Sequence, residues 1–142
     1  MRPKLGGFLL LTVALQAKPY SGRVKIAEET LMQAKDSGVD YAAKLDLAID
    51  GSASDLREFI RLIRRLDTSG AYFHYFHVYE VATLAGDKKM RAAISDFTQG
   101  ELSALSADLS EAQGWIKPRK RFAQNLPETT AFLRQSGAVP PR

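Results

Sequence analysis

The sequence predicts an all-α fold, a compact array of six or seven short helices packed as antiparallel helical hairpins around a central buried helix at residues 71–86. Three observations support this prediction. Apolar residues recur at helical spacing along most of the chain. Residues that start and end helices separate these stretches, and no segment alternates polar and apolar residues over a length typical of a β-strand.

The composition is that of one globular domain, large enough to bury a core without metal or disulfide cross-links. The 142 residues contain no cysteine, which excludes disulfide bonds, zinc–thiolate sites and thiol nucleophiles. The formal net charge of +4 is a modest excess that does not by itself indicate nucleic-acid binding.

The first 17 residues have the layout of a secretory signal peptide. Two positive charges, Arg2 and Lys4, precede an apolar run at residues 5–15, and Ala17 supplies a small residue for cleavage. The run is too short to span a bilayer. We therefore expect an exported protein, periplasmic or secreted, without a transmembrane segment in the mature chain. The alternative is a cytoplasmic protein whose N-terminal helix packs on the domain.

Two helices are predicted next, at residues 23–35 and 39–50, joined so tightly by Ser37 and Gly38 that they form a hairpin. A third helix begins after Ser52 and runs to about Leu66, with an apolar stripe at i, i+3, i+4 and i+7 spacing and arginines opposite. The stripe consists of Leu56, Phe59, Ile60, Ile63 and Leu66.

The central helix at residues 71–86 contains one charged residue, Glu80. It also contains a run of aromatic residues, Tyr72, Phe73, Tyr75, Phe76 and Tyr79. A helix that is apolar on every side is buried, so we interpret the aromatic run as core with tyrosine hydroxyls reaching the surface. The alternative is that the rings line a small-molecule pocket between helices.

Helices are also predicted at residues 88–97, from Thr98 to about Trp115, and at residues 127–135. Thr98 and Glu101 match a capping box, in which each side chain bonds the backbone N–H of the other residue. A basic linker at residues 116–121 precedes the last helix. The single domain is predicted to cover residues 18–135, and a flexible tail follows at residues 136–142.

A glycine followed by a polar residue recurs at an offset of about 35 residues, first as Gly51-Ser52 and then as Gly86-Asp87. The hairpins that these pairs delimit, residues 55–86 and 87–113, resemble the helix–turn–helix units of HEAT-type α-helical repeat proteins. This resemblance implies a stacked α fold and a surface that binds another macromolecule.

His74, His77 and Glu80 follow one another at intervals of three residues on the central helix, and two imidazoles with a carboxylate are ligands of the kind that metals use. One hypothesis is therefore a metal site. The alternative is structural: the histidines bond tyrosine hydroxyls or backbone carbonyls, and Glu80 pairs with His77 or with an arginine of the preceding helix.

Positive charge is concentrated in two places, the arginine face of the third helix and the basic linker. If the two groups meet in space they form an anion-binding face, and if not they are solvated surface. Trp115, beside the linker, is predicted to be an exposed aromatic residue, and the alternative is that it folds back over the core. The candidate residues for binding an anion or a partner are Arg57, Arg61, Arg64, Arg65, Lys117, Arg119, Lys120, Arg121 and Trp115.

From these features we predict a small exported helical scaffold that binds a protein partner and uses no cofactor or catalysis. One alternative is a metal-dependent enzyme or metal binder that uses His74, His77 and Glu80. A second alternative is an anion-binding or nucleic-acid-binding protein that uses the arginine face of the third helix.

Overall fold

A computed structural model describes residues 23–142, and the structural statements below refer to those residues. They form eight α-helices and one short 3₁₀-helix without a β-strand, so the predicted all-α class is confirmed. The predicted signal peptide at residues 1–17 lies outside the described residues. The elements in chain order are α1 (Glu28–Asp36), α2 (Tyr41–Asp50), α3 (Ala53–Arg61), the 3₁₀-helix (Leu62–Arg65), α4 (Thr68–Ala85), α5 (Asp87–Ala93), α6 (Gln99–Ile116), α7 (Phe122–Asn125) and α8 (Pro127–Gln135).

Both capping sites that the sequence indicates are present. At the start of α6, Thr98 Oγ1 accepts from the backbone N–H of Glu101 at 3.1 Å, and Glu101 Oε1 accepts from the backbone N–H of Thr98 at 3.0 Å. At the start of α3, Ser52 and Asp55 make the equivalent pair of bonds. These caps satisfy N–H groups that the first turn of a helix leaves without an intrahelical partner.

The central helix is α4, which packs against α1, α2, α3, α5 and α6. One side of α4 is buried in the core and includes Val78, Tyr79, Val81 and Ala82. The opposite side is not enclosed among the described residues, because Tyr72 is 37% exposed and Leu84 is 48% exposed. Among residues 23–142 this face of α4 is therefore not covered, and Tyr72, Phe73 and Phe76 pack on one another there.

Helices α3 and α5 lie side by side and run in the same direction. The ammonium group of Lys89, in α5, donates to the carbonyl oxygen of Gly51 just before α3 at 2.7 Å. Farther along both helices, Arg57 Nε donates to the carbonyl oxygen of Ala93 at 2.8 Å, and Arg61 in the last turn of α3 pairs with Asp96 just after α5. The start of α3 therefore lies beside the start of α5, and the end of α3 lies beside the end of α5.

Helices α4 and α6 repeat this parallel arrangement: Tyr75 in α4 bonds Asp108 in α6, and farther along both helices Tyr79 donates its hydroxyl proton to Gln113 Oε1 at 2.8 Å, across 34 positions of the chain. The contact between Arg57 and Ala93 spans 36 positions. The offset of about 35 residues seen in the sequence thus corresponds to neighbouring residues in the fold. The resemblance to HEAT-type repeats stays a prediction, since α5 packs on α3 and α8 more closely than on α6.

Residues 136–142, predicted as a flexible tail, instead lie against the domain. Pro140 and Pro141 are buried, and the carbonyl oxygen of Arg142 accepts from Gln113 Nε2 at 2.7 Å. Two prolines suit such a packed segment because they bring no backbone N–H that would need a partner. The Oε1 atom of Gln113 also accepts from the backbone N–H of Phe122 at 2.7 Å, so this amide joins α4, α6, α7 and the tail.

Across residues 23–142, none of the helices combines the length and the hydropathy that crossing a bilayer requires.

Candidate functional site

The two histidines predicted as metal ligands meet at a tyrosine in the core. The hydroxyl oxygen of Tyr41, in α2, lies 2.6 Å from His74 Nδ1 and 2.9 Å from His77 Nδ1. Both imidazoles are buried, with exposures of 1% for His74 and 3% for His77. For the histidines, this geometry fits the structural alternative, because both rings bond the Tyr41 hydroxyl and His74 Nε2 bonds a backbone carbonyl.

The backbone fixes the direction of this hydrogen-bonded chain. The N–H of Ala27 can only donate, and it donates to His77 Nε2 at 3.2 Å, so the proton of that ring is on Nδ1 and is donated to Tyr41. The Tyr41 hydroxyl then donates to His74 Nδ1. His74 Nε2 carries the remaining proton and donates to the carbonyl oxygen of Ile60 at 3.3 Å. Every polar side-chain atom of this series, His77, Tyr41 and His74, therefore has a hydrogen-bond partner while both rings are neutral.

Burial shifts the pKa values of these groups so that both imidazole rings stay neutral, as the hydrogen bonds require. It lowers the pKa of His74 to about 3 and the pKa of His77 to about 4, so both rings are neutral at neutral pH. Burial also raises the pKa of the Tyr41 hydroxyl well above its ordinary value. A proton added to either ring would place two donors against each other, as well as a charge in the core.

The metal-site hypothesis gains no support from this geometry. The four ring nitrogens of His74 and His77 are already engaged, and no group of three histidine, aspartate or glutamate side chains among residues 23–142 is placed to hold a metal ion. Glu80 does not join the histidines, nor does it pair with an arginine among the described residues, as the sequence had suggested. It is half-buried, and burial raises the pKa of its carboxyl group.

The arginines of α3 and the 3₁₀-helix are bonded to other parts of the fold. Arg61 donates to both carboxylate oxygens of Glu101 at 3.2 Å, and Arg64 donates to Glu101 Oε2 at 2.6 Å. The guanidinium of Arg61 also lies 4.4 Å from the centre of the Phe97 ring. Hydrogen bonds from these arginines lower the pKa of Glu101, which therefore stays ionised.

The other two arginines bond backbone carbonyls. Arg57 bonds the carbonyls of Ala92 and Ala93, where the last turn of α5 leaves acceptors without an intrahelical donor. Arg65 donates to the carbonyl of Ser37 at 3.3 Å. The arginine face predicted from the sequence is thus largely an internal set of contacts.

The basic linker lies at the opposite end of α6 from these arginines. Glu101, which binds Arg61 and Arg64, is in the first turn of α6, whereas Lys117 follows the last turn. Sixteen residues of helix separate the two positions by about 24 Å. The two concentrations of charge do not meet, so they do not form the single anion-binding face that the sequence left open.

A cavity of about 120 Å³ lies where the end of α3, the 3₁₀-helix, α4 and α6 come together. Its walls are mostly apolar, and the exposed residues Ala104 and Arg64 form part of its rim. Cavities of roughly 150 Å³ can hold a benzene-sized group. The complete lining is Ile60, Arg61, Ile63, Arg64, His74, Tyr75, Val78, Phe97, Glu101, Ala104, Leu105 and Asp108.

Asp108 is the acidic group of this cavity that is not bonded to an arginine. Burial raises its pKa to about 6, the negative charge of Glu111 acts in the same direction, and a hydrogen bond with Tyr75 acts against them. Burial also raises the pKa of Tyr75. An apolar cavity with a few polar groups and a shifted pKa is the usual form of a small binding site.

No protein-family model, curated protein or solved structure matches this chain. Its function is therefore inferred from its own geometry.

Sequence patterns pointed to Tyr75 only as one ring of the aromatic run that could line a pocket, and they did not point to Ala104 or Asp108. Tyr75 and Asp108 are 33 positions apart, and neither belongs to a recognisable motif. The one available signal was the parallel offset between α4 and α6, which places residues about 34 positions apart in contact.

Proposed function

We propose that this chain is a small helical scaffold that binds a protein partner, and that it does so by seating one large apolar side chain of the partner in the cavity between the 3₁₀-helix, α4 and α6. The observation that supports the proposal is the cavity itself, an apolar space of about 120 Å³ whose rim carries charged groups. A buried apolar anchor surrounded by polar contacts is the usual energetic centre of a protein interface.

The size of the cavity favours a side chain over a free ligand. Sites for metabolites and drug-sized molecules have volumes of roughly 300–1,000 Å³, whereas this cavity has about 120 Å³. A leucine or phenylalanine side chain fits such a space. Burying one stabilises a complex by about 1.5–3 kcal/mol, so further contacts around the rim are needed for a stable complex.

The rim also suggests which residue flanks the anchor. Arg64 is already neutralised by Glu101, while Asp108 has a tyrosine as its neighbour and no cationic partner among the described residues. A lysine or arginine next to the anchor would pair with Asp108 and lower the pKa of that carboxyl. We therefore expect partner affinity to rise between pH 5 and pH 7, as Asp108 ionises.

The experiment starts from a library of random peptides displayed on phage and selected on the immobilised protein. Selected peptides should share one large apolar residue with a basic residue close to it. Binding of a synthetic peptide is then measured by fluorescence anisotropy with the Ala104→Leu variant, whose larger side chain fills the cavity. We expect binding at least about tenfold weaker, the equivalent of 1.4 kcal/mol.

Ala107→Leu is the matched control, because Ala107 is exposed on the same helix but does not line the cavity. This variant should bind the peptide as the unchanged protein does. Equal loss in both variants, or selected peptides without a common apolar residue, would contradict the proposal.

We further propose that the scaffold is exported, on the basis of the charged start, the apolar run and Ala17 in the first 17 residues. Loss of Arg2 and Lys4 would lower the side-chain net charge from +4 to +2. Mass spectrometry of the protein from its native cell should give a chain that lacks these residues, and an intact N-terminus in that sample would contradict export by cleavage.

A further inference from the structure

The segment from Trp115 to Arg121, termed here the basic segment, combines an exposed tryptophan with four cations. Trp115 is 68% exposed at the end of α6. The side chains of Lys117, Arg119, Lys120 and Arg121 are exposed, and the ion pairs among the described residues do not include them. No acidic residue occurs from position 112 to 127, and none occurs among residues 1–22, which the structure does not describe. Neither stretch can therefore supply a carboxylate side chain that pairs with these cations.

The backbone of this segment has a conformation that lysine rarely adopts. Lys117 ends α6 with φ 51° and ψ 59°, in the left-handed region. Glycine is the usual residue at such a helix end, since it has no Cβ to clash there, and the following Pro118 prevents the helix from continuing. A cation therefore occupies a position where backbone geometry favours glycine.

We propose that the basic segment is a docking site for an anionic membrane surface, with Trp115 in the interfacial layer and the four cations against lipid headgroups. Tryptophan places its apolar ring and its N–H group at the boundary between hydrocarbon and water. Clusters of four or more lysine and arginine residues are attracted to anionic lipid, each adding about a fivefold increase in affinity. The structure exposes both features within seven consecutive residues, from Trp115 to Arg121.

Two other classes of partner fit these observations less well. A nucleic acid would be held by phosphate contacts along an extended basic groove, whereas the arginines that could extend the segment are bonded elsewhere, about 24 Å away along α6. A protein partner would be anchored in an apolar cavity, and the cavity described above lies beside the first half of α6. The segment itself offers four exposed cations and one exposed aromatic ring.

The experiment uses the intrinsic fluorescence of the protein, because Trp115 is the single tryptophan in the chain. Vesicles made from equal parts of phosphatidylcholine and phosphatidylglycerol are added at about 0.15 M salt. We expect a shift of the emission to shorter wavelength as Trp115 leaves water. The shift should be absent with vesicles of phosphatidylcholine alone and should disappear at about 1 M salt.

The double variant Arg119→Gln/Lys120→Gln removes two cations of the segment and should weaken vesicle binding roughly 25-fold. The matched control is Lys35→Gln/Lys88→Gln, which removes the same charge at two exposed positions on α1 and α5. The control should change binding less than about threefold, because cations outside the segment do not approach the surface closely. Equal losses in the two double variants would overturn the proposal, since they would indicate a response to net charge alone.

Lys117→Gly separates docking from folding, because the two effects have opposite signs. Glycine relieves the left-handed backbone and should raise the melting temperature. The same change removes one cation and should weaken vesicle binding about fivefold. Unchanged vesicle binding in this variant would count against the segment as the docking site, as would wild-type emission that responds to an oligothymidine strand but not to anionic vesicles.

Discussion

The two basic regions of this chain look alike in the sequence but have different surroundings in the structure. The arginines of α3 and the 3₁₀-helix bond Glu101, Asp96 and backbone carbonyls of neighbouring elements. The cations of the basic segment are exposed, and their one side-chain bond among the described residues runs from Arg121 to the carbonyl of Arg142. A count of charges therefore does not show how many of them a partner can reach.

The difference arises from where the ends of α5 and α6 lie. Helix α5 ends beside Arg57, and α6 begins beside Arg61 and Arg64, so a free carbonyl end and an acidic cap both face the arginines. The last turn of α6 and the segment that follows it contain no acidic residue, because none occurs from position 112 to 127. Arginine suits the first environment because its planar group donates to several acceptors at once.

If hydrogen bonds inside the fold determine how a polar group behaves, protonation of the buried histidines should have the largest effect on the free energy of unfolding. Their pKa values lie near 3 and 4 in the folded protein, below the ordinary value of 6.5, so the unfolded chain takes up protons first as pH falls. Stability is therefore complete above about pH 6.5 and is lost as pH falls toward 4. We expect a loss of about 3 kcal/mol between pH 7 and pH 5.

Urea unfolding at a series of pH values measures this loss. His77→Gln should roughly halve the slope, since one of the two titrating groups is gone, while Asp108, whose pKa is raised, acts in the opposite direction. A free energy of unfolding that does not change between pH 7 and pH 5 would contradict the conclusion that His74 and His77 are neutral in the core.

Removing the hydroxyl that links the histidines should have the next largest effect. Tyr41→Phe leaves His77 Nδ1 without an acceptor and His74 Nδ1 without a donor, both in the core. Two unsatisfied buried groups cost about 2–4 kcal/mol in total. The control is Tyr72→Phe on the exposed side of α4, which should change the free energy of unfolding by less than about 0.5 kcal/mol.

Glu101 tests the arginine face at its centre. Glu101→Ala removes both the cap of α6 and the acceptor for Arg61 and Arg64, and we expect it to cost about 2 kcal/mol of unfolding free energy. Glu101→Gln keeps a capping side chain and should cost about half as much. Thermal or urea melts distinguish the two, and Glu111→Ala, exposed on the same helix, provides a baseline near zero.

The smallest effect directly compares one cation from each region. Arg57→Lys keeps the charge but cannot bond Asp96 and the end of α5 together, so we expect a loss of about 1 kcal/mol. Lys120→Gln, in the basic segment, should change the free energy of unfolding by less than about 0.5 kcal/mol. If the two variants melt alike, the contrast between the regions does not extend to stability.

The sequence predicts what short-range patterns control. The capping box at Thr98 and Glu101 and the final helix at residues 127–135 depend on residues within one or two turns, and the structure has both. The predicted helix at residues 88–97 is longer than α5, which ends at Ala93, and the turn α7 at Phe122–Asn125 was not predicted. Ile94 and Phe97, beyond the end of α5, are buried in the core, and Phe122 of α7 is buried against Tyr79. Tertiary packing of this kind can override local helix preference.

The candidate sites depend on contacts that local patterns do not contain. Tyr41 lies 33 and 36 positions from the histidines that it joins, and Glu101 lies 40 and 37 positions from its two arginines. A carboxylate three residues after a threonine predicts a helix cap, but it does not indicate that the same carboxylate also accepts hydrogen bonds from two arginines. For Trp115 the sequence left two possibilities, an exposed ring or a ring folded over the core, and the structure has the first.

The side-chain amide of Gln113 links residues 136–142 to the core of the domain. One end of this amide holds the Tyr79 hydroxyl in the core and the other holds the carbonyl of Arg142. Detachment of residues 136–142 from the domain would release that amide from its orientation and disturb a buried tyrosine. This segment and the core should therefore open together as one cooperative unit, and the backbone amides near Ala138 should exchange with deuterium only when the entire domain unfolds.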